Sequence, residues 1–508
     1  LTVSALRENA GVINRRSFLA AGAAAAVAIS GGLPLPVNAA PDPADLSALE
    51  ALALLRARRL SARELLAACR RRIAAGDAAV QCFVTHTDDL AWSAAAAADG
   101  RYAAGRPLPL DGVPVGLKDL YYTRGVRTAA GSRVLADFVP DHDATVWARL
   151  RDAGAVLLGK LTTHEFAYGT STPPTRNPWD LSRHPGGSSG GSAAALAARF
   201  LPAATGTDTA GSLRLPAAVT GCVALKPTYG LVSRHGIVPL AWSMDCAGPM
   251  ARTVGDVAYL LHVIAGHDPL DPTSLPQPAA DHPLQAPPDL RGVRLGRPTA
   301  FFWEGVDASM AAVCETALRL MRDRGAEIVD LDLPPGLLAA VRGPAAQAAL
   351  TPAALTILAE AAAYHQQFIR TRAALYSPEI LTQIELGQAL TAVDYLQAQR
   401  VRGVCIRDLG ALLADRRIDA VVHPTTTRPP GPQTPSRSVA AGVPFDLTVP
   451  WNFLGFPSLS VPAGLDSRHL PVGLLLSGPP LTEARLLGIG LAVEQAVGFA
   501  AHRPGGLG

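Results

Sequence analysis

Lysine is almost missing from this chain. Of its 45 basic residues only Lys118, Lys160 and Lys226 are lysines, and the other 42 are arginines. The bias points to a GC-rich bacterial coding sequence, in which arginine stands wherever charge alone is needed. Arginine does not release its proton in a protein, whereas a desolvated lysine can. The three lysines are therefore candidates for work that arginine cannot do. Lys160 and Lys226 read as buried packing residues; Lys118 stands apart because of its setting. Cysteine is scarce as well. Cys69, Cys82, Cys222, Cys246, Cys314 and Cys405 form no C-x-x-C pair and show no metal-ligand spacing. They read as buried free thiols, with room for one or two disulfides if the protein is exported. No cluster of ligands supports a metal site. Charge is thin at 17%, the net charge is +3 and the basic residues are scattered, which removes the case for a nucleic-acid partner. With 49% hydrophobic residues over 508 positions, the chain can bury a large core, either as one large α/β unit or as two to four average domains.

What is present in quantity lies between His184 and Pro216. Two Gly/Ser clusters, Gly186–Ser192 and Gly206–Ser212, flank a short Ala-rich run with helical character. Glycine permits tight backbone paths and close approach of amide groups to a ligand. Ser188 and Ser212 are hydroxyls on these two clusters, and Asp208 and Arg214 bracket the second. Hydroxyls on glycine-shaped loops beside a helix suggest nucleophilic chemistry with amide donors at hand. Other chemistries fit less well. A phosphate cradle of the P-loop kind needs Gly-Lys-Ser/Thr at its end, and no lysine stands there. A nucleophile elbow G-x-S-x-G around Ser212 needs glycine at position 214, which is Arg214. A histidine triad using His184, or a plain glycine-rich turn, stays open from this stretch alone.

The rest of the chain reads as alternating helix and apolar strand. Asn14-Arg15-Arg16-Ser17-Phe18-Leu19, an apolar run from Leu19 to Ile29 and the small-residue pattern Val37-Asn38-Ala39 look like a twin-arginine export signal over residues 1–39. The apolar run is too short to span a bilayer. From this segment we expect a mature chain beginning near Ala40, export by the twin-arginine machinery and a periplasmic or secreted location. Residues from about 45 to 110 read helical, with a capping box at Ser61 and Glu64. Val113–Leu117 reads as a short buried strand that Lys118 ends. A lysine there is desolvated, which favours the neutral amine and makes it a usable general base. Strands are expected at Ala155–Gly159, Val293–Phe302, Glu327–Leu333, Ile418–His423, Phe456–Pro462 and Pro471–Leu476, with helices at Thr145–Ala153, Ala308–Arg324 and Thr482–Val497. Pro344–Leu413 reads as one long helical stretch and Asp268–Pro288 as a surface loop. The alternation argues for an α/β fold with a mixed sheet.

Three pieces together carry a resemblance: Lys118 in G-V-P-V-G-L-K-D, Ser188 in P-G-G-S-S-G-G-S, and Ser212 in G-T-D-T-A-G-S-L-R-L-P-A. They resemble the amidase signature family in residue type and spacing. Ala224–Gly230, Asp245–Met250, Asp394–Leu396 and Gly455–Pro462 look like further family segments, so the likeness runs from about residue 45 to 500. It implies an α/β/α fold, a mixed central sheet covered by helices on both faces, in one catalytic domain over residues 40–508. It implies a Ser–cisSer–Lys triad of Ser212 as nucleophile, Ser188 on a cis peptide as relay and Lys118 as base. The family's oxyanion hole would fall on the backbone amides of Thr209, Ala210, Gly211 and Ser212, with Ser189, Asp208 and Arg214 supporting the loops. Ala210 stands where many relatives have glycine, but the amide is retained.

The activity implied is hydrolysis of a small-molecule carboxylic amide to acid and amine or ammonia, without metal or organic cofactor. Esters, carbamates and cyclic amides fall within the same resemblance, and a silent exported binding protein is the rival from another class. The export signal argues against an amidotransferase component that feeds ammonia to misacylated tRNA. The substrate pocket is expected within residues 300–445, where Phe301, Phe302, Trp303, Tyr364, Phe368 and Tyr376 favour an apolar acyl group, although core packing explains the same residues.

Overall fold

Side chains that alternate between two faces need two partners, and this chain's strands alternate almost throughout. The structure is a computed structural model that describes residues 42–276, 289–342, 351–434 and 445–505. Among these residues eleven strands form one sheet: β1 (Phe83–His86), β2 (Pro114–Lys118), β3 (Val156–Leu161), β4 (Ala203–Asp208), β5 (Val223–Lys226), β6 (Cys246–Ala251), β7 (Arg294–Pro298), β8 (Glu327–Leu331), β9 (Ala420–Pro424), β10 (Ser458–Leu465) and β11 (Pro471–Ser477). Their spatial order is β1-β3-β2-β4-β6-β5-β10-β11-β9-β7-β8. The sheet is mixed: β3, β2 and β4 run parallel, as do β9, β7 and β8, and antiparallel pairings join the two groups through β6, β5, β10 and β11.

In β4, Ala203 belongs to one core and Ala204 to the other; in β11, Leu474 and Leu476 face one side and Leu475 the opposite. Helices Thr145–Asp152, Val254–Ile264, Ala308–Asp323 and Glu483–Val497 cover the first face. On the second face, helices Ala62–Val80, Asp88–Ala103 and Gly190–Ala197 pack over one end of the sheet, and Pro352–Arg372, Pro378–Gln388 and Ala392–Asp415 over the other. The fold is therefore α/β, as the sequence pattern indicated, with helices on both faces, as the family resemblance implied. The Ser61–Glu64 capping box is formed, with Glu64 N donating to Ser61 Oγ at 3.1 Å and Ser61 N to Glu64 Oε2 at 2.8 Å. All six cysteines are free and buried.

Three readings of the sequence change. The region read as helical from about 45 to 110 also contains the strand β1. The long stretch expected over Pro344–Leu413 is three separate helices among its described residues, broken where Pro378 and Thr391 start new first turns. The described part of the expected Asp268–Pro288 loop is a tied turn, with Asp268, Asp271 and Ser274 buried and bonded within it. The expected export segment, residues 1–39, lies outside the described residues. Among the described residues no helix is long and apolar enough to cross a membrane.

Glu494 sits on helix Glu483–Val497, and its Oε1 accepts the Val254 amide at 2.9 Å. Burial lifts its carboxyl to about 8, against the opposing pull of that amide. The folded pKa therefore lies above the unfolded value of about 4.3. The stability it contributes is complete below that value and is lost as pH rises through about 8. Glu494→Gln removes this loss. The melting temperature of the variant should gain on wild type progressively from about pH 5 to pH 8, as read by thermal unfolding across that range.

Candidate active site

The parallel strands β2 and β4 end side by side, and each ends in a residue with chemistry. Lys118 closes β2 and Asp208 closes β4. Lys118 is wholly buried. Its Nζ donates to Ser188 Oγ at 2.7 Å and to Thr207 Oγ1 at 2.8 Å. Burial drives its pKa down to about 7, against the Asp208 and Asp245 carboxylates, which favour the charged form. Ser188 follows a cis Gly187–Ser188 peptide. The backbone there runs so close to its neighbours that a Cβ on Gly187 would lie 2.2 Å from the Ser171 carbonyl oxygen. Thr172 Oγ1 donates to the carbonyls of Gly186 at 2.9 Å and Ser188 at 3.3 Å, which fixes this turn.

The second Gly/Ser cluster meets the first through the backbone: Ser189 N donates to the Ser212 carbonyl at 3.2 Å. Ser189 Oγ also bridges to β4, donating to Thr207 O at 3.2 Å and accepting from Thr207 N at 3.3 Å. Ser212 is buried, and its Oγ has no hydrogen-bond partner among the described residues. Lys118, Ser188 and Ser212 are thus brought into one neighbourhood, with only the first two in direct hydrogen-bond contact. Helices Gly190–Ala197 and Arg214–Thr220 both start beside the site. Their N-terminal ends favour negative charge there and disfavour a charged Lys118.

Asp208 holds the second cluster in shape. Its carboxylate accepts from Gly211 N at 2.7 Å, Leu213 N at 3.1 Å, and Arg214 Nε and Nη2 at 2.9 and 2.8 Å. Burial alone would raise this carboxyl; the Arg214 guanidinium outweighs it and holds the group at about 2. Asn452 Nδ2 donates to both the Asp208 carbonyl and its Oδ1 at 2.9 Å, and Arg214 Nη1 donates to Thr448 O at 3.0 Å. Arg214 is fully buried and supports the loop. Gly211 has a φ of +138° and would drive a Cβ to 2.3 Å from Thr448 Oγ1, so only glycine fits.

One expectation is corrected here. The Gly211 amide is engaged by Asp208 and is not directed at a ligand. The amides of Thr209, Ala210 and Ser212 have no acceptor among the described residues.

Sequence reasoning missed Thr207, Asp245, Asn452 and Thr448. Thr207 lay inside the Gly/Ser motif, and Asp245 inside a stretch recognised only as a family segment. Asp245 is buried, accepts Thr209 Oγ1 at 2.6 Å and the amides of Leu240 and Ala241 at 2.9 and 3.1 Å, and burial raises its carboxyl. The two other lysines hold structure. Lys160 Nζ donates to Tyr121 O at 2.7 Å and Thr128 Oγ1 at 2.6 Å, and Lys226 Nζ to Pro227 O at 2.9 Å. His184 is buried against the Gly186 and Gly431 amides, away from any serine hydroxyl.

A cavity of about 470 Å³ opens beside Thr207 and Thr209. Its walls come mostly from residues 234–247 and 270–272, with Glu360, Ala363 and Tyr364 from one helix. The pocket expected within residues 300–445 is therefore supplied in small part by that region. Phe301, Phe302 and Tyr376 are buried core residues instead.

A buried lysine held near neutrality against a serine, with a second serine and unengaged amides beside it, is equipment suited to acyl transfer. Comparison with known proteins agrees with that class. The model of the Amidase family matches residues 64–487, and the chain belongs to the amidase signature family, whose members are amide C–N hydrolases. The chain is 42% identical over 471 residues to the A component of glutamyl-tRNA(Gln) amidotransferase from Chloroflexus aggregans, covering 89% of this chain and 96% of that protein. The structure of peptide amidase from Stenotrophomonas maltophilia superposes with a TM-score of 0.75 at 34% identity, covering 93% and 99% of the two chains. A bacterial aryl acylamidase superposes with a TM-score of 0.79 at 26% identity, covering 90% and 99%.

These relatives overturn the expected location. The A components of glutamyl-tRNA(Gln) amidotransferases, at 39–43% identity across several bacteria, serve a charged-tRNA reaction that belongs to the cytoplasm. The expected periplasmic or secreted location does not stand against these relatives, and nothing in them supports the twin-arginine partner.

Arg214→Met leaves the Asp208 carboxylate buried without its cation. Loss of one partner of a buried pair costs about 3–5 kcal/mol. Guanidinium unfolding should show a destabilisation of that order, with no gain of activity on any amide.

Proposed function

We propose that this amide hydrolase works through an acyl-enzyme on Ser212, and the observation that carries the reading is the buried Lys118–Ser188 hydrogen bond at 2.7 Å. Ser212 Oγ attacks the amide carbonyl carbon. Its proton passes to Ser188 Oγ while the Ser188 proton passes to the lone pair of neutral Lys118. In the neutral amine one N–H goes to Thr207 Oγ1 while the 2.7 Å contact with Ser188 reverses direction, so that the lone pair accepts the Ser188 hydroxyl. The amides of Thr209, Ala210 and Ser212 receive the developing oxyanion. Each such donor is worth roughly 2.7–4 kcal/mol in the transition state. Collapse of the intermediate breaks the C–N bond, and the proton returns through Ser188 to the leaving amine. Water then repeats the sequence on the acyl group and releases the acid. The acyl-enzyme route accommodates esters and carbamates as well as amides, since only the leaving atom differs.

A second reading is favoured by the identity to amidotransferase A components over 94–99% of their lengths. In it, the chain releases ammonia from an amide for transfer to a tRNA-borne acid and works with partner proteins. An assay of the purified chain alone separates the two. Turnover of simple amides at full rate without other proteins supports the independent hydrolase; activity only on addition of the other amidotransferase components and glutamyl-tRNA supports the second.

The base must be neutral, so kcat/KM should rise as pH increases through about 7, where Lys118 loses its proton. Ser212→Ala and Lys118→Met should each lower the rate by at least ~10³-fold, in line with loss of nucleophile or base in an acyl-transfer unit. A pH-independent, near-normal rate in Lys118→Met would sink the mechanism.

A further inference from the structure

Two large apolar side chains are exposed on the lining of the cavity, Trp242 at 53% and Leu270 at 64%. They form its lips, while Ile237, Val238, Leu240 and Tyr364 form walls that lead inward to Thr207 and Thr209. Two exposed apolar side chains that share the lining of one cavity make a place where an apolar ligand group is favourably covered.

The backbones that carry both lips are held firmly. The Trp242 carbonyl accepts from Arg234 Nη1 and from Tyr229 Oη at 3.0 Å. Its neighbour Ser243 donates its amide to Glu360 at 2.7 Å and receives Arg402 on both its carbonyl and its hydroxyl. Asp245 closes the same turn on the amides of Leu240 and Ala241. On the other lip, Leu270 N donates to Asp268 Oδ1 at 2.9 Å, and Asp271 accepts Thr273 N at 2.9 Å and Arg234 N at 2.7 Å. Arg234 joins the lips: its guanidinium reaches Trp242 O on one side and Thr273 Oγ1 on the other, and lies 4.9 Å from the ring centroids of both Tyr229 and Trp242. One face of the indole is thus braced by a cation.

The charged groups on the cavity wall are already engaged. Arg234 gives its Nη atoms to Trp242 O and Thr273 Oγ1 and faces Asp271 at 3.8 Å. Its Nε has no hydrogen-bond partner among the described residues and is buried away from solvent. Glu360 accepts Ser243 N and Tyr395 Oη, and Asp245 accepts Thr209 Oγ1. None is left as a dedicated partner for a charged ligand, and a charge in the cavity would be desolvated without one. The volume suits a small organic group.

We infer that Trp242 and Leu270 are specificity residues that grip an uncharged aryl group of the amide substrate, with the indole stacked on the aryl face. The inference rests on the amide-hydrolase reading above and names the substrate class for that site. A rigid, preorganised ring gives stacking at low ordering cost, which is why the clamped turn matters.

The test compares kcat/KM for acetamide, benzamide, acetanilide and the para-carboxylate of whichever aryl amide turns over faster, in wild type, Trp242→Ala, Trp242→Phe and Leu270→Ala. The wild type should prefer a neutral aryl amide over both acetamide and the carboxylate. Trp242→Ala should lower kcat/KM for the aryl amide by about ten-fold, mainly through KM, with a much smaller loss on acetamide, and Trp242→Phe should stay within about three-fold of wild type on the aryl amide. Leu270→Ala should shift the aryl amide in the same direction. A second readout needs no turnover: in a Ser212→Ala background, calorimetric Kd for the aryl amide should weaken by a similar factor on adding Trp242→Ala. An equal loss on acetamide and aryl amide, or no change on the aryl amide in either readout, overturns the lip assignment and leaves the hydrolase reading intact. Inertness of wild type on every amide overturns the hydrolase reading and the inference with it.

Discussion

The Asp208 carboxylate is the fixed point about which the site is arranged. It lies at the end of β4, beyond water, and would be costly there as a lone charge. Arg214 supplies the countercharge, and Gly211 N, Leu213 N and Asn452 Nδ2 complete its hydrogen bonds. Those bonds draw the chain from Asp208 to Arg214 into a tight turn. Ser212 is carried on that turn, and Thr209 and Ala210 keep their amides free of protein acceptors among the described residues. Asn452 bonds this carboxylate and Thr448 bonds its Arg214 partner, both from far along the chain, so distant segments converge on one ion pair.

A second balance acts on Lys118. Burial drives its amine toward neutrality, and the carboxylates of Asp208 and Asp245 resist this. Arg214 neutralises much of Asp208's influence, and Asp245 is itself raised by burial and saturated by the Thr209 hydroxyl and two amides. Desolvation therefore wins, and the lysine settles near 7. The pair that shapes the turn also keeps a strong negative charge from reprotonating the base. Structural and chemical roles meet in the same few atoms.

The cavity depends on a third set of restraints. The connection from β5 to β6 carries residues 234–245, and its turn is fastened by Arg234, Asp245, Glu360 and Arg402. That connection forms most of the cavity wall; Tyr364 joins it, while Phe301, Phe302 and Tyr376 pack into the core. Phe302 packs against His423 and Trp451, and Tyr376 accepts or donates at His365. Their composition alone gave no way to distinguish a core ring from a pocket ring, because both bury apolar area.

The alternation of apolar residues marked most strands and their flanking helices, since one residue of slippage would turn every core side chain to the wrong face, but it did not mark β1, β4 or β6. The rarity of lysine and the spacing of Ser188 and Ser212 marked the catalytic candidates, because those residue types carry chemistry that arginine and glycine lack. The sequence pattern did not reveal which amides are occupied, that Thr207 and Asp245 belong to the site, or that Trp242 and Leu270 share one cavity mouth. Those facts are set by contacts between residues tens to hundreds of positions apart, such as Asn452 with Asp208 and Glu360 with Ser243. Local periodicity encodes a residue's face; only the folded sheet, by bringing the ends of β2 and β4 together, decides which side chains meet across it.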